Sequence, residues 1–142
     1  MTGQPVELDL SPAGDSAQNQ SHTISVEKIR EMVELFYSRT QQDDLLGPIF
    51  QERVADWDAH YEKMTRFWSS ATMRVGTYSG RPIEAHSFGG FTKVHFDRWV
   101  TMFTTTANDV FTPGDAKILT DLAKRMASTI AMRIGVGRFN YN

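Results

Sequence analysis

The chain has 142 residues, enough for one domain with one core, and 40% of them are hydrophobic. Its 15 Lys and Arg residues nearly balance 17 Asp and Glu, and a net charge of −2 provides neither a basic surface for nucleic acid nor a polybasic patch for a membrane. Cysteine is absent, so we expect no disulfide. The sequence also has no apolar stretch of about 20 residues and no signal-peptide pattern, so we expect no membrane span and a cytoplasmic location.

Residues 1–23 are rich in Gly, Pro, Ser, Gln and Asp and show little periodicity. This composition predicts a flexible N-terminal extension, followed by a single domain over residues 24–142. Ser25 is a suitable N-cap for the first helix, which should end within residues 41–44. The apolar residues that share one face of this helix are Val26, Ile29, Met32, Val33, Phe36 and Tyr37.

Residues 45–50 contain the helix breakers Gly47 and Pro48 and are otherwise apolar, which predicts a packed connection that buries Phe50. Asp56 begins the next predicted helix, and Gly76 ends it. Its apolar stripe consists of Trp57, His60, Tyr61, Met64, Phe67, Trp68 and Ala71.

A turn over residues 78–82 leads into a short predicted helix, with Pro82 in the first helical position. Ile83 and His86 are three residues apart, so they share a face of this helix. Residues 89–90, both glycine, should end it.

Two further helices are predicted in the last third of the chain. Thr92 caps the first, and Thr112 and Pro113 begin the second, with Asp115 in its first turn and Gly135 and Gly137 at its end. The apolar faces consist of Phe96, Trp99, Val100, Phe103, Ala107 and Val110, and of Ile118, Leu119, Leu122, Met126, Ile130 and Ile134. No segment alternates as a strand does, so the predicted fold class is all-α.

The histidines are the first candidates for chemistry. His22 falls in the extension, but His60 and His86 lie on apolar faces of different helices among aromatic residues. A buried neutral imidazole needs a partner for its nitrogen lone pair. A hydrogen bond within the core would provide one, and so would a haem iron, for which the aromatic residues would form the lining.

Zinc is a weaker alternative. The sequence contains no His-Glu-x-x-His motif, and a three-ligand site would require His60, His86 and His95, or a carboxylate, to converge. Nucleophilic catalysis lacks a cysteine, a Gly-x-Ser-x-Gly motif and a glycine-rich phosphate loop.

Tyr37 and Trp99 carry polar groups on otherwise apolar faces. The Tyr37 hydroxyl needs a buried partner, and the Trp99 indole N–H can only donate. Hydrogen bonds to backbone carbonyls would satisfy both groups, and so would a ligand bound to iron.

The order and spacing of several segments resemble the group III truncated haemoglobins of bacteria, over about residues 25–135. The segments are Phe36-Tyr37, Leu46-Gly47-Pro48-Ile49-Phe50, Trp57-x-x-His60-x-x-x-Met64-x-x-Phe67-Trp68, Tyr78-x-Gly80-x-Pro82-x-x-x-His86 and Phe96-x-x-Trp99-x-x-x-Phe103. Each segment is weak evidence by itself, and their joint order is strong evidence.

The resemblance implies a truncated globin fold, in which a two-over-two helical sandwich surrounds haem b. His86 matches the proximal iron ligand, and Tyr37 matches the distal tyrosine. His60 matches the distal histidine, which would contact the ligand or bind the iron as its sixth ligand. Trp99 matches the tryptophan that follows the proximal ligand by thirteen positions. The further haem contacts that it implies are Phe50, Met64, Phe67 and Phe96.

The chain departs from the family pattern in two places. The link between Tyr37 and His60 is short, and the N-terminal extension exceeds the usual domain. His95 is a rival proximal ligand, but His86 has the Tyr-Gly-Pro segment before it and the thirteen-residue spacing to Trp99.

Three functions follow as hypotheses. The first is reversible binding of O₂, NO or CO, as in oxygen transport, with Tyr37 and Trp99 donating to the ligand. The second is a haem enzyme for NO dioxygenation or peroxidase-like chemistry, which would need a separate reductase as electron donor. The third is a haem-free helical interaction module, which gives no reason for His60 and His86 to face inward together.

Overall fold

The computed structural model describes residues 24–73, 91–137 and Tyr141. These residues form five helices, with no strand among them, which confirms the all-α prediction. The extension over residues 1–23 and the segment that contains Gly76, His86 and the short helix expected around it lie outside the described residues. The helices are α1 (Val26–Gln41), α2 (Gly47–Arg53), α3 (Trp57–Met73), α4 (Lys93–Val110) and α5 (Pro113–Arg133).

Helix α1 begins as the sequence predicts, because the Ser25 hydroxyl accepts a hydrogen bond from the Lys28 N–H at 3.1 Å. The predicted apolar face is buried, with Ile29 and Met32 fully inaccessible to solvent. Val26 is the exception, because it lies in the first turn, beyond the edge of the packed surface, and is 47% exposed.

The connection predicted at residues 45–50 is wrong in form, because Gly47–Arg53 is helix α2. Pro48 lies in the first turn, where a missing N–H breaks no helical hydrogen bond. Gly47 is buried against the end of α1, and a Cβ at this position would lie 2.9 Å from the carbonyl oxygen of Gln41. The glycine therefore marks a close contact between two helices rather than a break in structure.

Helix α3 also begins with a side-chain cap, since Asp56 Oδ1 accepts from the Ala59 N–H at 3.2 Å. Trp68, a member of the predicted apolar stripe, is buried. Its ring centroid lies 4.8 Å from that of Phe103 on α4. Ala71, predicted on the same stripe, is exposed near the end of α3.

Helices α4 and α5 pair along their lengths, and Phe103 and Leu119 are buried between the layers. The Thr112 hydroxyl caps α5 by accepting from the Asp115 N–H at 3.3 Å. Gly135 ends α5 as predicted, with a φ of 84° that other residues rarely adopt.

The layers of the fold are two helix pairs. Helix α1 packs on α3, α4 packs on α5, and α1 also crosses α4 between the pairs. This is the two-over-two arrangement of helices that the sequence resemblance implies. None of the described helices has the length and hydropathy to span a membrane.

Candidate functional site

A cavity of about 510 Å³ opens where α1, α2 and α3 face α4 and α5. Its lining is mainly apolar and aromatic, as in sites that bury a large flat ligand. The structure brings seven of the eight predicted site residues into this lining: Tyr37, Phe50, His60, Met64, Phe67, Phe96 and Trp99. The eighth, His86, lies outside the described residues.

Tyr37 and His60 meet on one side of the cavity. Their ring centroids are 4.7 Å apart, and the rings are nearly perpendicular at 77°. Phe50 packs edgewise on Tyr37 at 5.5 Å, and Trp57 packs edgewise on His60 at 5.8 Å. We call Tyr37, His60, Phe50 and Trp57 the aromatic wall. Its tight packing fixes the orientation of both polar rings.

The Tyr37 side chain is 6% exposed. Burial, followed by the nearby Tyr61 side chain, raises the pKa of the Tyr37 hydroxyl above its ordinary value. The hydroxyl therefore keeps its proton and can donate a hydrogen bond to a ligand in the cavity.

His60 is the unusual residue of the aromatic wall. Its Nε2 is buried, and none of the described residues forms a hydrogen bond with it. Burial, and then the positive charge of Lys63, lowers the pKa of His60 from 6.5 to about 4. At neutral pH the ring is uncharged, so Nε2 can, depending on the tautomer, either donate a hydrogen bond to a ligand or offer a lone pair to a metal.

Trp99 lies where α4 reaches the cavity. Its ring stacks on Phe103 at 5.2 Å and meets Phe36 edgewise at 5.7 Å, so the core holds it on two sides. Phe96 is 7% exposed one turn earlier on the same helix and contributes to the same lining.

His95 also lines the cavity, but its ring is engaged by the start of α4. The Thr92 N–H donates to Nδ1 of His95 at 3.0 Å. Since Nδ1 uses its lone pair as an acceptor, the ring proton of the neutral imidazole lies on Nε2. Neither nitrogen then has a lone pair free for iron, which argues against His95 as the proximal ligand.

The described residues include no group of three His, Asp or Glu side chains that could hold a metal ion. They therefore provide no three-ligand zinc site by themselves. A haem would require less of the protein, namely one side chain to hold the iron and an apolar cavity for the porphyrin. The aromatic lining fits that requirement, as does Nε2 of His60, which has no hydrogen-bond partner within the described part of the chain.

Sequence reasoning did not single out several residues of the lining. Lys63 lies three positions after His60, so helical spacing could have identified it. Arg53 was hidden because α2 was predicted as a connection. Its guanidinium lies 4.9 Å from the centroid of the Phe91 ring. Ile130 was predicted on an apolar face, but only the packing of α5 shows that it reaches the cavity.

Comparison with known proteins identifies relatives that cover most of this chain. A family model described as bacterial-like globin matches residues 24–132. The group 3 truncated hemoglobin ctb of Campylobacter jejuni is 29% identical over 111 residues, which cover 75% of this chain and 87% of that protein. The crystal structure of group III truncated hemoglobin from Campylobacter jejuni superposes with a TM-score of 0.76 at 25% identity, over 87% of this chain and all of the other.

Proposed function

Because the chain belongs to the bacterial-like globin family and is a haem-binding globin, we propose that it reversibly binds O₂, and also NO and CO, at a haem b iron held by His86. When bound, the haem would supply an iron that takes up a diatomic ligand on the side of the cavity lined by Tyr37 and His60. Keeping the iron ferrous requires electrons from a reductase outside this chain.

The observation that carries the proposal is Nε2 of His60, which is buried beside Tyr37 in an aromatic cavity and has no hydrogen-bond partner among the described residues. A buried polar atom without a partner costs about 1–3 kcal/mol. A fold that retains this cost at a cavity gains from it only when something in the cavity completes the hydrogen bond or the coordination. A ligand bound in the cavity of a globin would be such a partner for Nε2.

The proposed division of roles follows from the hydrogen-bond donors that line the cavity. Tyr37 keeps its proton, and the Trp99 indole N–H can only donate. A diatomic ligand that carries partial negative charge is stabilised by such donors in a cavity of low dielectric constant. We therefore expect slow release of O₂ and a smaller effect on CO, which carries less charge.

His60 is proposed to contact the ligand rather than to hold the iron permanently. Its ring is uncharged at neutral pH and is held by edgewise contact with both Tyr37 and Trp57. These contacts keep the imidazole against the wall, where its Nε2 can meet a ligand that enters the cavity.

His86 is proposed as the proximal ligand on the strength of its motif and by elimination. It follows the Tyr-Gly-Pro segment and precedes Trp99 by thirteen positions. The rival candidate is His95, but its Nδ1 already accepts a hydrogen bond from the Thr92 backbone N–H.

The test is absorption spectroscopy of the purified, haem-loaded protein in its ferric, ferrous and CO-bound states. Wild type should take up one haem per chain and show a Soret band that sharpens with CO. The His86→Ala variant should lose this stoichiometric uptake, whereas a matched His95→Ala variant should retain it. Absence of haem uptake by wild type would refute the proposal.

The ferrous spectrum before CO is added separates the two roles of His60. A five-coordinate, high-spin spectrum is expected if His60 only contacts the ligand. A six-coordinate, low-spin spectrum that becomes high-spin in His60→Leu would assign His60 to the iron instead and would refute that part of the proposal.

A further inference from the structure

We propose that His95 binds a carboxylate side chain of the haem through its Nε2–H group, with its ring held by the Thr92 backbone. The inference rests on the proposed function, because haem b carries two propionate groups. It assigns to His95 a binding role that is separate from the iron.

The orientation of the His95 ring is the first argument. Nδ1 of His95 is 3.0 Å from the Thr92 backbone nitrogen and 2.9 Å from the Thr92 hydroxyl oxygen. Nδ1 is therefore engaged by a residue three positions earlier in the chain. The proton of the neutral ring is carried by Nε2, at the outer end of the side chain, where it can only donate.

The surroundings of His95 are the second argument. The ring is half-buried, lines the cavity and meets the Phe91 ring edgewise at 6.3 Å between centroids. The Arg53 guanidinium lies over the same Phe91 ring, 4.9 Å from its centroid. The Arg53 guanidinium and the His95 imidazole therefore lie beside the same aromatic ring, in one part of the cavity lining.

The charge of the lining is the third argument. Arg53 and Lys63 contribute positive charge to the cavity, and Asp56 contributes the only carboxylate among the described lining residues. Oδ1 of Asp56 already accepts from the Ala59 N–H at the start of α3. The described lining is therefore positive on balance and complementary to an anionic group.

These three arguments point to a carboxylate as the partner of His95. A hydrogen bond from an N–H donor to an ionised carboxylate is shorter and stronger than one between neutral groups. The propionates are the only ionised groups at the periphery of haem b, so they are the part of the cofactor that this residue can recognise. Because the contact forms only after haem binds, it should slow haem loss.

The experiment measures the rate at which the loaded protein transfers its cofactor to excess apomyoglobin, for wild type, His95→Leu and His95→Gln. The Leu variant removes the donor, whereas the Gln variant retains an N–H donor of similar reach. We expect about tenfold faster haem loss from His95→Leu and a rate near that of wild type for His95→Gln. Asn108→Leu, an exposed change on the same helix that does not line the cavity, should behave as wild type.

The decisive arm repeats the measurement with iron protoporphyrin IX dimethyl ester, in which both carboxylates are blocked. The three proteins should then lose the cofactor at the same rate, because no carboxylate remains for His95 to bind. A wild-type rate for His95→Leu with haem would overturn the inference.

An acceleration that persists with the ester would also overturn it, and would assign His95 to the stability of α4. Either result leaves the proposed function intact, since both require a protein that holds haem. Failure of the wild-type protein to take up haem would instead refute the proposed function.

Discussion

Two regions of this protein treat partly or fully buried polar groups in opposite ways. At the junction of α1 and α2, the Asp43 carboxylate accepts hydrogen bonds from the N–H groups of Leu45 and Leu46, at 3.1 and 2.9 Å, and pairs with Arg98. We call these residues the Asp43 corner. In the aromatic wall, by contrast, Nε2 of His60 is buried and has no partner among the described residues.

The contrast also appears in the titration of the two regions. Burial by itself would raise the pKa of the Asp43 carboxyl. The Leu46 N–H, the Arg98 side chain and the Leu45 N–H together outweigh burial and hold this pKa below its ordinary value of 3.8. For His60 nothing outweighs burial, and the pKa falls to about 4.

This difference in hydrogen bonding distinguishes polar groups that stabilise the fold from polar groups that are available to a ligand. A carboxylate whose acceptor sites are filled stabilises the fold and has little left to offer another molecule. An imidazole nitrogen that the fold leaves without a partner lowers stability and can gain one when a ligand arrives. Substitutions in the two regions should therefore have opposite effects on stability.

The largest effect is expected in the Asp43 corner. Asp43→Ala leaves two backbone N–H groups and Arg98 without their acceptor, so the free energy of unfolding should fall by about 2 kcal/mol. Urea unfolding followed by circular dichroism measures the change. The adjacent and exposed Asp44→Ala is the control and should change stability by less than about 0.5 kcal/mol. Equal losses from the two variants would contradict a scaffold role for Asp43.

On the aromatic wall, Tyr37→Phe should affect the ligand more than the fold. Loss of the hydroxyl removes a donor to bound O₂, so O₂ should dissociate about tenfold faster, as measured by stopped-flow displacement with CO. The unfolding free energy should change by less than about 0.5 kcal/mol, because the Phe ring can keep the edgewise contacts with His60 and Phe50. Tyr61→Phe, whose hydroxyl accepts from Gln41 outside the cavity, is the matched control. Unchanged O₂ release in Tyr37→Phe would remove this residue from the ligand site.

His60→Leu tests whether a substitution in the aromatic wall changes the free energy of unfolding in the opposite direction to Asp43→Ala. An apolar side chain of similar size removes a buried nitrogen that has no partner among the described residues. We expect the unfolding free energy to rise by about 1 kcal/mol, in contrast to the loss for Asp43→Ala. A loss of comparable size in His60→Leu would mean that the imidazole is a structural group.

The two regions should also differ in how their stability depends on pH. The folded pKa of His60 is lowered to about 4 from 6.5, so below pH 6.5 the unfolded chain binds a proton that the folded chain does not. Stability should therefore fall as the pH decreases from 6.5 toward 4, and His60→Leu should flatten this part of the curve. The lowered pKa of Asp43 acts in a lower window, where stability is lost as the pH falls below 3.8. Parallel curves for wild type and His60→Leu above pH 4 would show that His60 does not titrate in this way.

The order of helices and most of the candidate site could be predicted from the amino-acid sequence. Apolar residues at threes and fours place Ile29, Met32 and Phe36 on one face of α1, because a helix has 3.6 residues per turn. The same periodicity predicts that His60 lies on the inner face of α3. The order of the motifs, rather than any one of them, indicates the globin family and names His86.

Only the tertiary structure decides how these residues meet. Gly47 and Pro48 predict a break, but the short helix α2 forms because Gly47 packs closely against the last turn of α1. His95 resembles a rival iron ligand in the sequence, and the Thr92 N–H on its Nδ1 changes that interpretation. The missing partner of His60 Nε2 is likewise a property of packing, since a hydrogen bond depends on distances between residues far apart in the chain. Periodicity determines which face of a helix is buried, whereas the packing of the helices determines which buried polar atoms find a partner among the described residues and which, like Nε2 of His60, do not.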